Sequence, residues 1–167
     1  MADYSHLKKL DVTAESEAEY TFDEIWGEPS IWCRPMTDAN PDYMNERVRL
    51  AVERAEKEGK ETRKQRRQKI LSTDRLEEDR EFDRVLIART CALRWGTAPR
   101  DINGDAPEFS EKECLDFLRQ MPTYMLDPFR GWIANVYNFV DRDAAKPAWA
   151  GDAEALGNDT PSASSGS

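Results

Sequence analysis

Along this chain the spacing of hydrophobic and polar positions changes period, and each change marks a new element. Around Tyr20-Thr21-Phe22-Asp23, apolar and polar positions alternate. A Trp26-Gly27-Glu28-Pro29 cluster then supplies a turn, and Ser30-Ile31-Trp32-Cys33-Arg34 resumes an extended pattern. Alternation on both sides of a Gly/Pro cluster predicts a β-hairpin over about residues 19–35. An isolated hairpin is marginal in water, so its aromatic face, Tyr20, Phe22 and Trp32, has to pack on something downstream.

From Asn40 the period becomes helical. Asn40-Pro41 reads as an N-cap with proline in the first turn of a helix over about 41–58, whose single apolar stripe is Met44, Val48, Ala51 and Ala55. After a stretch nearly bare of apolar residues, helical spacing returns with Phe82, Val85, Leu86, Cys91, Ala92 and Leu93. This predicts a helix over about 62–95 that Trp95-Gly96 closes. Asn103-Gly104 is a turn signal, Ser110-x-x-Glu113 a capping box, and Phe109 the hydrophobic staple ahead of it. The helix that follows, about 111–121, carries Cys114, Leu115, Phe117, Leu118 and Met121, and Pro122 stops it. Asp127-Pro128 reads as the start of a last helix, about 127–141, with Phe129, Ile133, Val136 and Val140 on one stripe that Trp132 and Tyr137 widen.

The expected fold is therefore α+β and mainly α-helical: an N-terminal β-hairpin packed on about four helices, forming a single domain over 19–141. Residues 1–18 read as a flexible lead-in with at most one short strand around Leu7–Val12, and the Ala, Gly, Asp, Pro and Ser content of 142–167 reads as a disordered tail.

Composition narrows the function classes. The chain has 167 residues, a net charge of -9, and 34% charged side chains, with no apolar run long enough to span a bilayer. The N-terminus lacks the apolar centre of a secretory signal, so an intracellular protein is expected. Against the acidic total, residues 57–69 hold seven cations and only two carboxylates, a local balance of +5. Phosphate neutralisation is what drives non-specific nucleic-acid binding. No aromatic residues are interleaved with these cations for base stacking, so a solvated charged face is the expected reading.

No catalytic or metal set emerges. Cys33, Cys91 and Cys114 are far apart and read as reduced core residues, and His6 is the lone histidine, in the lead-in. The acids of Asp74–Asp83 alternate with Arg75, Arg80 and Arg84, which points to ion pairing along helices. The glycines form no phosphate-binding loop or nucleophile elbow. The expectation is a non-enzyme without cofactor or metal, working by surface contact. Tryptophan is enriched at binding hot spots, yet Trp95 and Trp132 lie on helical stripes that favour the core, which leaves Trp149 as the better docking residue.

Taken in order, Gly27–Pro35, the charged helical stretch, Leu93-Arg-Trp95-Gly, Asp101–Cys114, Pro122 and Trp132–Phe139 resemble the tail assembly chaperones of long-tailed bacteriophages, over about residues 20–140. The basic 57–69 segment departs from that pattern. The resemblance implies a protein of the bacterial host cytoplasm, absent from the mature virion. It would bind the tape-measure protein, with tail tube subunits as a second partner, and keep the former soluble while the tube polymerises. The resemblance also implies a client-binding surface, and from the apolar helices 82–95 and 111–140 and the tail the aromatic residues Trp95, Phe109, Phe117, Phe129, Trp132, Tyr137 and Trp149 are the candidate contacts. Two other classes stay open: a small helical nucleic-acid-binding protein using residues 57–69, and a structural head-to-tail connector component.

Overall fold

A computed structural model describes residues 2–70 and 72–151. The described chain divides into two compact units, one spanning Val12–Phe139 and the other formed from the described parts of Met1–Asp11 and Val140–Ser167.

In the larger unit, β1 (Ala18–Thr21) and β2 (Ser30–Cys33) form the hairpin that the alternation predicts, with Tyr20 opposite Ile31 and Ala18 opposite Cys33. A third strand, β3 (Ala92–Thr97), pairs antiparallel with the other edge of β2, giving a three-stranded sheet in the order β1-β2-β3. The central strand is the most buried: Ile31 and Cys33 have no exposed surface.

Five α-helices accompany this sheet: α1 (Pro41–Gly59), α2 (Arg63–Ile70), α3 (Asp74–Leu86), α4 (Glu111–Gln120) and α5 (Thr123–Ile133). Asn40 caps α1 as expected, accepting from the Tyr43 amide at 3.3 Å. Its buried amide also donates to the carbonyls of Pro35 at 3.2 Å and Thr90 at 3.1 Å, which ties the start of α1 to the segment after α3. Ser110 caps α4 through the Glu113 amide at 3.1 Å, and Phe109 is tucked edge-on against Trp95 with ring centroids 5.2 Å apart. The fold is thus mainly α-helical α+β, as the patterning predicts.

Four expectations need correction. The helix expected over 62–95 is two helices, α2 ending at Ile70 and α3 starting at Asp74, followed by a wide π-type turn at Ile87–Cys91. Ser72 turns the chain back by donating from its hydroxyl to the Lys69 carbonyl at 3.1 Å. Residues Ala92–Thr97 then form a strand, because the open edge of β2 recruits them. Two residues of β3, Leu93 and Gly96, have no partner in the register, so the strand bulges there. At Gly96 a Cβ would collide with the Glu19 carboxylate and the Ser30 hydroxyl, so the bulge admits only glycine without rearrangement.

The last helix begins not at Pro128 but at Thr123, just after Pro122, and carries Pro128 in its interior. Leu126, Phe129 and Ile133 share a face and are fully buried, so the stripe starts ahead of the internal proline and holds the helix across it. Asp127 does not cap. Its carboxylate accepts from Arg80 and Arg130 instead. The helix ends at Ile133, and Val136–Phe139 is a 3₁₀ turn.

In the smaller unit, residues Ser5–Leu10 form a 3₁₀ helix where a flexible segment or strand was expected, and the Asp3 carboxylate accepts from the Ser5 amide at 2.8 Å at its start. Residues 142–145 are turns and 148–151 a helical turn, so this part of the expected disordered tail has local structure. The rest of that expectation, 152–167, lies outside the described residues.

Candidate functional site

The aromatic residues expected to contact a partner are mostly brought together in the core. Phe129 is fully buried, with ring centroids 4.9 Å from Tyr20 and 5.1 Å from Phe22. Phe117 packs edge-on to Phe22 at 5.5 Å and to Trp95 at 5.6 Å, and Trp132 lies 5.1 Å from Tyr20. Trp95 and Phe109 complete the same layer. Phe129 therefore has no surface to offer a client in this fold, and Trp95, Phe109, Phe117 and Trp132 are partly buried against the core. Trp95 lies on a strand and not on a helix. Tyr137 and Trp149 are exposed, at 69% and 71%, but belong to different units.

What patterning missed is the orientation of α1. Its inward face begins as core, with Tyr43 buried and Leu50 half-buried. Further along, the inward positions are Arg54 and Glu58, and they meet charges. Arg54 pairs with Asp79 of α3 at 2.8 Å, Glu58 pairs with Arg75, and Lys69 of α2 bridges Glu61 at 3.1 Å and Glu78 at 2.7 Å. The Arg54 guanidinium also sits 5.8 Å from the Phe82 ring centre. Beneath these ion pairs is a cleft of about 320 Å³ with Leu50, Phe82 and Val85 on its floor and charged side chains on its rim.

With its inward face polar, the C-terminal half of α1 turns its apolar stripe to solvent. Val48 and Val52 are 60% and 54% exposed, and Ala51 and Ala55 beside them are exposed too. These four positions fall on one side of the helix, and none of them is covered by another described element. Small and β-branched side chains leave the backbone close to the surface, so another helix can approach closely along this line.

Groups that could do chemistry are quiet. All three cysteines are free and buried, and burial pushes the thiols of Cys91 and Cys114 up to about 12 and that of Cys33 well above its usual value. Such thiols stay protonated and unreactive at neutral pH. The acids of α3 are engaged by arginines from several elements: Asp83 by Arg130, Glu81 by Arg119, Glu77 by Arg84. Among the described residues no group of three or more His, Cys, Asp or Glu is placed to hold a metal ion, and no helix is long and apolar enough to cross a membrane. Comparison with protein-family models, curated proteins and solved structures finds no match.

Proposed function

We propose that this protein is a tail assembly chaperone of a long-tailed phage, acting in the host cytoplasm by holding the tape-measure protein, a long apolar helical client, through the outward stripe of α1. The observation that carries the reading is that stripe: Val48, Ala51, Val52 and Ala55 face solvent along one line of a 19-residue helix. An amphipathic client helix laid against such a seam buries its own apolar face while the chaperone's net charge of -9 keeps the complex dispersed. Mutual burial of apolar area supplies the grip at roughly 25 cal/mol per Å². No covalent step is involved.

The test is co-expression with a candidate tape-measure protein, scored for client solubility and co-purification. Wild type is expected to keep the client soluble, and Val48→Asp/Val52→Asp to lose it while the variant itself stays folded. Reversing Arg63, Lys64, Arg66 and Arg67 to Glu should leave client solubility intact. An unaffected Val48→Asp/Val52→Asp variant would overturn the assignment of the face. Failure of wild type to co-purify with any tape-measure protein would overturn the function.

A further inference from the structure

Two surfaces of the larger unit serve neither the core nor the proposed client face, and they complement each other. The first is the loop joining β1 and β2. Its backbone is fixed: the Phe22 amide donates to Pro29 O at 2.9 Å, Ile25 to Phe22 O at 3.2 Å and Glu28 to Ile25 O at 2.9 Å, with the Ile25 side chain packed on the core. Gly27 and then Glu28 adopt left-handed backbone, φ 85° and 46°. Such a φ is uncommon for a residue with a Cβ. This held turn projects Trp26 with 97% of its surface exposed, and the neighbouring carboxylates of Asp23, Glu24 and Glu28 have no cationic partner among the described residues.

The second surface is α2. Most arginines elsewhere in the unit are in ion pairs, but Arg63, Lys64 and Arg67 are exposed without an acidic partner among the described residues. Beside them Ile70 is 72% exposed and lines a hollow of about 260 Å³ whose wall is Arg66 and two ion pairs, Lys69–Glu61 and Arg75–Glu58. A cavity of ~150 Å³ admits a benzene ring, so the volume of this open, charge-walled hollow suffices for an indole lying against Ile70 and the Arg66 guanidinium.

We infer that the acidic, Trp26-bearing tip of one copy docks onto the basic face of α2 in a second copy, with Trp26 seated beside Ile70. An exposed tryptophan flanked by the unpaired carboxylates of Asp23, Glu24 and Glu28 meets a hollow on the helix that carries the unpaired cations Arg63, Lys64 and Arg67, so the aromatic anchor supplies the grip and the opposite charges steer it. The two surfaces differ, so the contact is heterologous: each copy that docks leaves one tip and one α2 face free, and association runs on into short chains. A polyanion such as DNA would also be drawn to α2, but the remainder of this acidic chain repels it.

Sedimentation velocity on the purified full chain, without client, tests this independently of the proposed function. Wild type is expected to show concentration-dependent association that weakens at least tenfold from low to high salt. Trp26→Ser alone, and Arg63→Glu/Lys64→Glu/Arg67→Glu alone, are expected to be monomeric with unchanged circular dichroism, since every substituted side chain is exposed. Mixed together, these two variants should form dimers and nothing longer, because only one intact tip and one intact α2 face remain between them. Monomeric wild type at all concentrations and both salts would overturn the inference. So would association that either variant leaves unchanged, or tight DNA binding through α2 in a gel-shift titration with no self-association.

Discussion

Around the sheet, contact is made by edges of aromatic rings: Tyr20, Phe22, Phe117, Phe129 and Trp132 interlock with centroids about 5 Å apart. Between the far half of α1 and α3 it is made by guanidinium and carboxylate groups in partly solvated pairs such as Arg54–Asp79. Burial of an aromatic side chain stabilises by a few kcal/mol, whereas an exposed or half-exposed ion pair contributes about 0–1 kcal/mol. The first region therefore holds the fold, and the second sets the orientation of α1 at little gain in stability. A helix held to its neighbour by charges is free to spend its apolar stripe elsewhere.

Breaking the first region should have the largest effect. Phe129→Ala removes a fully buried ring and is expected to cost about 3–5 kcal/mol, enough to unfold much of a marginally stable domain, as read by denaturant titration. Leu86, Leu118 and Ile133, also fully buried, should cost about 2–5 kcal/mol each on truncation to Ala. A loss under 1 kcal/mol at Phe129 would mean that the aromatic layer is not the centre of the fold.

The two regions also differ in how far patterning reveals them. The hairpin shows as alternation, and α4 as a capping box with its staple, because both are local devices. Strand β3 is not legible: Ala92–Thr97 continues a helical spacing, and what makes it a strand is the vacant edge of β2, distant in sequence. Pro128 misplaces the start of α5, since an internal proline and a first-turn proline look alike until Leu126 is known to be buried. At α1 the spacing shows which residues share a face, but not whether anything covers it. Spacing alone therefore points to Trp95, Phe117 and Phe129 as client contacts, although these side chains pack in or against the core.

The junction between the regions is Asn40, buried and bonded on both its amide nitrogen and its oxygen. Asn40→Ala should cost about 1–3 kcal/mol, because the carbonyls of Pro35 and Thr90 lose a buried donor and α1 loses its cap. Thermal melts of the variant would read this as a drop of several degrees. A neutral result would show that neither the cap nor the bonds to Pro35 and Thr90 contribute to holding the start of α1.

The charged region should be visible in acid. Arg49 first, and Arg89 with it, hold the Glu46 carboxyl down at about 2 from its ordinary 4.5, linking α1 to the turn after α3. A carboxyl lowered in the folded state contributes stability at pH above its unfolded value, and that contribution drains away as pH falls from about 4.5 towards 2. Urea titrations across this window should show a shallower loss for Glu46→Gln than for wild type, while above pH 5 the variant is the less stable of the two.

The smallest effect on stability is expected at the outward stripe, and it discriminates most sharply between a passive surface and a working one. Val48 and Val52 are more than half exposed, and serine at both positions removes apolar surface that the fold does not bury. Stability should stay within about 0.5 kcal/mol of wild type. A bound client helix would lose two contacts of methyl groups with its own apolar face, each worth roughly 1 kcal/mol. Val48→Ser/Val52→Ser should therefore weaken client retention about tenfold or more at unchanged melting temperature. If the melt falls instead and the client stays bound, the stripe belongs to the fold and the ion pairs of Arg54 and Glu58 are not what orients α1.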